Sequence, residues 1–207
     1  MGLMQNGGVI LIASRSEMLR YVAQHTRIRR ACEVGVFRCE FSREIMSVLR
    51  SNARLDLVDT FGPGGVGSGD EHGGNFAVRD GDALRRQAVK WANSIGDRVS
   101  IYAMTSLEWA RIAAGSEISY ELVYIDADHS YQAVAADLRA YWPLVTAGGW
   151  LCGHDYTITT ERCVDPSHYD GIGVRQAVDE FCAAEGVGIH AVALDGYSSF
   201  AIRKAAR

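Results

Sequence analysis

Five short stretches carry residue types that can do chemistry, and each closes an apolar run: Glu33-Val34-Gly35, Asp59, Thr105-Ser106, Asp126-Ala127-Asp128-His129 and His154-Asp155. Carboxylates, imidazoles and hydroxyls can move protons, hold sugar hydroxyls or ligate a metal ion. One acid at such a place is ordinary, because Asp and Glu often form turns or cap helices. Together the stretches describe one rim, since ligands of an open α/β sheet bind beyond the carboxyl ends of its strands.

The elements that must position this rim alternate along the chain. Residues 31–36, 55–59, 99–104, 121–126 and 150–152 read as strands. Apolar residues recur at helical spacing over 16–25, 41–49, 83–94, 107–114, 134–142 and 174–184. Ser16 is placed to cap the first helix, and Thr105 with Glu108 has the capping-box spacing. Two closing strands, 188–194 and 199–203, flank the turn Asp195-Gly196 and must be antiparallel to each other. The expected fold is therefore α/β: one Rossmann-like domain with a mostly parallel seven-stranded sheet, helices on both faces and an antiparallel C-terminal strand. An N-terminal helical extension is expected at 1–30, and the domain proper at 31–207.

Composition narrows the function. The chain has 207 residues, 48% apolar and 22% charged, which suits one domain and excludes disorder, a collagen repeat and a coiled coil. A net charge of −4 gives no general attraction for nucleic acid. The five cysteines form no CxxC pair, and Val9-Ile10-Leu11-Ile12-Ala13 is too short for a signal-peptide core and has no basic flank. A cytoplasmic protein without a membrane span is expected. The four tryptophans sit at core positions and read as packing.

Two nucleotide-binding patterns present themselves. Gly62-Pro63-Gly64-Gly65-Val66-Gly67 is a literal GxGxxG, but Ser68-Gly69-Asp70-Glu71-His72-Gly73-Gly74 follows and cannot open a helix. That cluster holds seven of the 22 glycines and reads instead as a lid beside the site. The turn after the first strand has a single essential glycine, Gly35, and the next strand ends in Asp59, 24 positions on. That offset is near the ~20 residues at which an acid reaches ribose hydroxyls. A nucleoside without a pyrophosphate fits better than NAD.

Glu33-Val34-Gly35-Val36-Phe37-Arg38 followed by Leu57-Val58-Asp59 resembles motif I and its acidic partner in class I S-adenosylmethionine-dependent methyltransferases. The stretches IDADHSY from Ile125 and GGWLCGHDY from Gly148 are similar to the small-molecule O-methyltransferase branch, with its catechol, caffeoyl-CoA and macrocin-type enzymes. The resemblance covers roughly 31–203. It implies that Glu33, Gly35 and the backbone that follows hold the methionine end of S-adenosyl-L-methionine, that Asp59 binds the ribose, that Ser106 lies against the adenine and that Phe37 and Asp126 also bind the cofactor. It further implies a divalent metal, Mg or Mn, on Asp126, His154 and Asp155. His154 replaces the usual carboxylate or amide, and an imidazole suits Mn, Fe or Zn better than Mg. Cys39 stands where the family has glycine, a change that ordinary backbone torsions would accommodate.

The implied activity is methyl transfer to a hydroxyl of a small molecule, with Asp128 or His129 as the base. Asp59→Ala is expected to weaken cofactor binding and leave the fold intact. The expected partner is a small-molecule acceptor (sugar, phenol, natural product, or a nitrogen acceptor), with no nucleic acid and no membrane, and a homo-oligomer is compatible with the sequence. The glycine cluster, the N-terminal segment and residues 163–173 are the expected acceptor walls. Two other functions remain open at this point. One is a metal-dependent hydrolase using Asp126, His129, His154 and Asp155; the other is a non-catalytic nucleoside-binding module.

Overall fold

The computed structural model describes residues 4–6, 8–62, 81–156 and 171–206. The glycine cluster beyond Gly62, Cys163 and the rest of 157–170 lie outside the described residues. The chain runs β1 (Met4–Asn6), β2 (Val9–Ile12), α1 (Arg15–His25), β3 (Arg30–Val34), α2 (Glu40–Val48), β4 (Arg54–Asp59), α3 (Gly81–Ile95), β5 (Val99–Ala103) and α4 (Ser106–Gly115). It continues with β6 (Tyr120–Ile125), α5 (Tyr131–Tyr141), a 3-10 turn (Trp142–Leu144), β7 (Val145–Gly153), α6 (Gly171–Glu185), β8 (Ile189–Ala193) and β9 (Ser199–Arg203).

The strands form one sheet in the order β1-β2-β8-β9-β7-β6-β3-β4-β5. β9 runs antiparallel between β7 and β8, while β3 pairs in parallel with both β4 and β6. Among the described residues the sheet thus has nine strands where seven were expected. The additional pair comes from the N-terminal segment, in which only a helix was expected. β2 joins β8 in parallel, and β1 folds back on β2. The short run Val9–Ile12 gives no sequence hint of this, because its partner lies about 180 residues away in the chain.

Alternate residues of the central strands enter different cores. In β6, Leu122 and Tyr124 pack with α1, α2 and α3, whereas Val123 and Ile125 pack with α4, α5 and α6. Both faces being covered explains why these strands read as apolar runs without a polar alternation. All four tryptophans are buried, as their positions suggested. Thr105 and Glu108 form the full capping box at α4. α1, however, is capped by Ser14 through the Glu17 amide, and Ser16 instead donates to Glu44. Among the described residues no helix is long and apolar enough to cross a membrane.

Register makes the rim. Val34 is level with Val58 and with Ile125, and Ile125 is level with Gly153. The residues that follow must therefore stand abreast: Gly35, Asp59, Asp126 and His154. Backbone hydrogen bonds continue the ladder through them, from the Gly35 amide to the Val58 carbonyl (2.9 Å), from Asp126 to Val34 (2.7 Å) and from His154 to Ile125 (3.1 Å).

Candidate active site

The crevice opens between β3 and β6, where the chain leaves the sheet toward α2 on one face and α5 on the other. Gly35 sits in its floor at φ +86°, and a Cβ there would meet the Asp126 carbonyl oxygen at 1.9 Å. Only glycine satisfies both demands. Glu33, one residue before the strand end, is 1% exposed and takes a hydrogen bond from Ser42 of α2. Burial pushes its carboxyl well above the usual carboxylate range.

Asp59 has a structural task the sequence did not reveal. Its Oδ2 accepts the amides of Val36 (2.8 Å) and Phe37 (3.1 Å), and its Oδ1 accepts the amide of Phe61 (2.7 Å). The carboxylate thus buckles the Gly35 turn to the end of β4. A carboxylate offers about four lone-pair sites, so one remains for a ribose hydroxyl. Phe37 and Cys39 in this turn hold left-handed torsions, φ 47° and 59°. The condition under which Cys39 would have been a mild replacement for glycine is therefore not met.

Beyond β5, Ser106 begins α4 and its hydroxyl donates to Asp137 of α5 at 2.6 Å, while the Tyr141 hydroxyl donates to the Ser106 carbonyl at 2.9 Å. The proton of the hydroxyl expected against an adenine is thus committed to Asp137, while its oxygen can still accept. Asp137, which no sequence motif marks, is 3% exposed, and burial lifts its carboxyl to about 6. The folded carboxyl keeps its proton to higher pH than an unfolded one, near 3.9, so the native state binds more protons between about pH 4 and 6. Stability should fall across that window and level off above it. Asp137→Asn should flatten the fall and gain about 1–2 kcal/mol at pH 7.5, measured by urea unfolding at several pH values.

Asp126, His129, His154 and Asp155 converge on the far side of the crevice. His129 Nε2 lies 3.0 Å from Asp155 Oδ2 and 3.5 Å from Asp126 Oδ1. His154 Nδ1 lies 3.0 Å from the same Asp155 oxygen and 3.8 Å from Asp126 Oδ1. Asp155, 3% exposed and at φ 60°, is the hub of the four. Ligand atoms of Asp126, His154 and Asp155 all fall within 4.8 Å of one another. His129 Nε2 is buried yet makes no aligned hydrogen bond. Two carboxylates, a facing imidazole and an orphaned ring nitrogen fit a divalent cation.

Burial disfavours the imidazolium of His129, but the carboxylates of Asp126, Asp155 and Asp128 outweigh it and push its pKa up to about 9. Asp128 is occupied elsewhere: its Oδ1 accepts the Ser130 amide at 2.8 Å and leads the chain into α5. Of the two candidate bases, His129 is therefore the one the fold turns toward the crevice. Two further groups reach the same place from parts of the chain the motifs do not cover. Arg15, at the start of α1, lies 3.9 Å from Asp126 Oδ2. Tyr197, in the β8–β9 turn and 47% exposed, sets its ring edge against His154 at 6.4 Å between centroids. The turn itself was legible in Asp195-Gly196, but not what it overhangs.

Residues 32–156 match the family model described as a methyltransferase domain. The chain belongs to that family and is a class I S-adenosylmethionine-dependent methyltransferase. No curated protein matches the sequence. Among solved structures, an O-methyltransferase from Bacillus cereus in complex with S-adenosylhomocysteine superposes with a TM-score of 0.63 at 18% identity, over 92% of this chain and 80% of that one. The O-methyltransferase TomG from Streptomyces achromogenes, involved in tomaymycin synthesis and solved with S-adenosylmethionine, gives 0.65 at 15% identity, over 93% and 80%. At such identities the likeness shows a shared fold. Neither the hydrolase nor the nucleoside-binding alternative is favoured by these matches.

Proposed function

We propose that this methyltransferase acts on a hydroxyl oxygen of a small-molecule acceptor, with a divalent ion on Asp126, His154 and Asp155 and with His129 as the base. The observation that carries this reading is the convergence of two imidazoles on the Asp155 carboxylate, level with the Gly35 turn. Two O-methyltransferases sharing the fold support the choice of oxygen and of cofactor.

In this reading each residue has one task. Gly35 lets the turn after β3 close onto the Asp126 backbone and so shapes the cradle for the methionine end of the cofactor, and Asp59 holds the Val36 and Phe37 amides in place around it. Ser106, fixed by Asp137, sets the start of α4 beside the adenine. A divalent ion held by Asp126, His154 and Asp155 would supply Lewis acidity at the acceptor hydroxyl and would offset the carboxylate charge that raises the His129 pKa. His129 takes the hydroxyl proton as the oxygen attacks the methyl carbon in line, the bond from that carbon to the sulfonium breaks and S-adenosylhomocysteine leaves.

The test is formation of S-adenosylhomocysteine with a panel of phenols, sugars and other hydroxylated acceptors, alongside calorimetry with S-adenosylhomocysteine alone. A chain that neither binds that product nor forms it would overturn the reading. His129→Gln should lower kcat by about 10²–10⁴-fold, the range for a general base. S-adenosylhomocysteine affinity should stay within a factor of about three, since Gln keeps the fold and the base touches the acceptor rather than the cofactor. Asp128→Asn should cost far less, because its carboxylate serves the Ser130 amide. Chelation should abolish transfer and added Mn should restore it. Full activity in EDTA would remove the metal from the reading.

A further inference from the structure

Arg15 is the feature of the site that no motif accounts for. Its backbone amide donates to Asp195 Oδ2 at 2.7 Å, so the β8–β9 turn pins the start of α1 whatever side chain Arg15 carries. Its guanidinium lies over the Phe41 ring, 4.6 Å from the centroid, on the helix that follows the Gly35 turn. The side chain is 28% exposed, and 3.9 Å separates it from Asp126 Oδ2. Among the described residues the guanidinium donates no hydrogen bond. A planar group with five N–H donors is thus held by stacking, with its fork unspent.

Its surroundings say what it awaits. The strand ends around it carry Glu33, Asp59, Asp126 and Asp155, with Asp128 behind them. Arg15 sets a positive charge within this acidic rim, 3.9 Å from Asp126, while Arg38 and Arg43 lie over the Phe37 and Trp91 rings. Phe41 stands in the first turn of α2, directly after the Gly35 turn, so the guanidinium stacked on it lies beside that turn, and its charge is felt by the buried Glu33 carboxyl. S-adenosylmethionine ends in an amino acid, whose ammonium suits the acids and whose carboxylate does not.

We infer that Arg15 binds the carboxylate at the methionine end of the cofactor, with its guanidinium fork facing the two carboxylate oxygens. This assignment rests on the S-adenosylmethionine reading. It makes the N-terminal segment, which lies before the matched family region, a working part of the cofactor site. It also explains the anchoring of α1 to Asp195: a carboxylate fork needs its partner fixed.

Calorimetry on the full chain with two ligands decides it. S-adenosylhomocysteine carries the carboxylate; 5′-methylthioadenosine has the same nucleoside and sulfur without the amino acid. Arg15→Met should weaken S-adenosylhomocysteine by about 10- to 100-fold, the worth of a charged hydrogen-bonded pair. It should leave 5′-methylthioadenosine within about twofold, and Arg15→Lys should recover part of the loss. Unchanged S-adenosylhomocysteine affinity in Arg15→Met, with the wild type binding normally, overturns the assignment alone. If KM for an acidic acceptor then rises instead, the carboxylate served is the acceptor's. Equal weakening of both ligands means a structural role and also overturns it. A wild type that binds neither ligand overturns the cofactor reading and this assignment together.

Discussion

Gly35→Ala is expected to lose a large share of its folding stability and all measurable binding of S-adenosylhomocysteine. Two independent demands meet at this residue. The backbone is at φ +86°, which costs an L side chain about 1–2 kcal/mol. A methyl group would also stand 1.9 Å from the carbonyl oxygen of Asp126, a main-chain atom that cannot rotate away. Relief requires β3 and β6 to part at the point where their ladder continues into the rim, which would break the 2.7 Å bond from the Asp126 amide to Val34. A destabilisation of about 4 kcal/mol or more is expected, the range reached when backbone strain and a core clash coincide. Against the ~5–15 kcal/mol of a typical domain, this should move the urea midpoint by about 2 M. Binding should fail even in conditions where the variant stays folded, since Asp126 and the Gly35 turn belong to one site. A variant with a wild-type midpoint would show that the two strand ends are less tightly joined than the geometry states.

The rim was legible in the sequence for a simple reason. Apolar runs buried on both faces end abruptly in acids and imidazoles, and in-register parallel pairing brings those endings level. Glu33, Asp126, His154 and Asp155 all follow from that one pattern. What escaped was set by torsion or by distance along the chain. Cys39 gives no sign that its φ is 59°, and nothing near Val9–Ile12 names β8 as the partner. Ser106 was placed correctly at the start of a helix, but the direction of its hydroxyl depends on Asp137, 31 residues on. Asp128 and His129 are adjacent in sequence, the first the better match to the family position and the second the better base by its ordinary pKa. The fold separates them by turning one carboxylate onto the Ser130 amide and the neighbouring ring onto Asp155. Arg15 lies outside every motif, and its place became visible only when the β8–β9 turn was seen to hold it.

Asp59→Ala, expected from sequence to spare the fold, is now expected to damage it. The carboxylate gathers the amides of Val36, Phe37 and Phe61, so its removal leaves three donors without their acceptor. Partial access to water softens the penalty, and a loss of about 3 kcal/mol is a reasonable sum for three amide bonds to a charged group. Asp59→Asn separates the structural part from any contact with ribose. An amide side chain has a single acceptor oxygen and must point its NH2 group at one side of the turn. If the oxygen faces Val36 and Phe37, only the Phe61 bond is lost, at a cost of about 1 kcal/mol. The two variants should therefore fall in order, Asn above Ala, in denaturant midpoint. Hydrogen exchange at the Val36 and Phe37 amides should quicken markedly in Ala and only slightly in Asn. Cofactor affinity should drop in both, through the loosened turn and the lost ribose acceptor. If Asp59→Ala keeps a wild-type midpoint and slow exchange at both amides while binding alone collapses, Asp59 touches ribose and is no buckle.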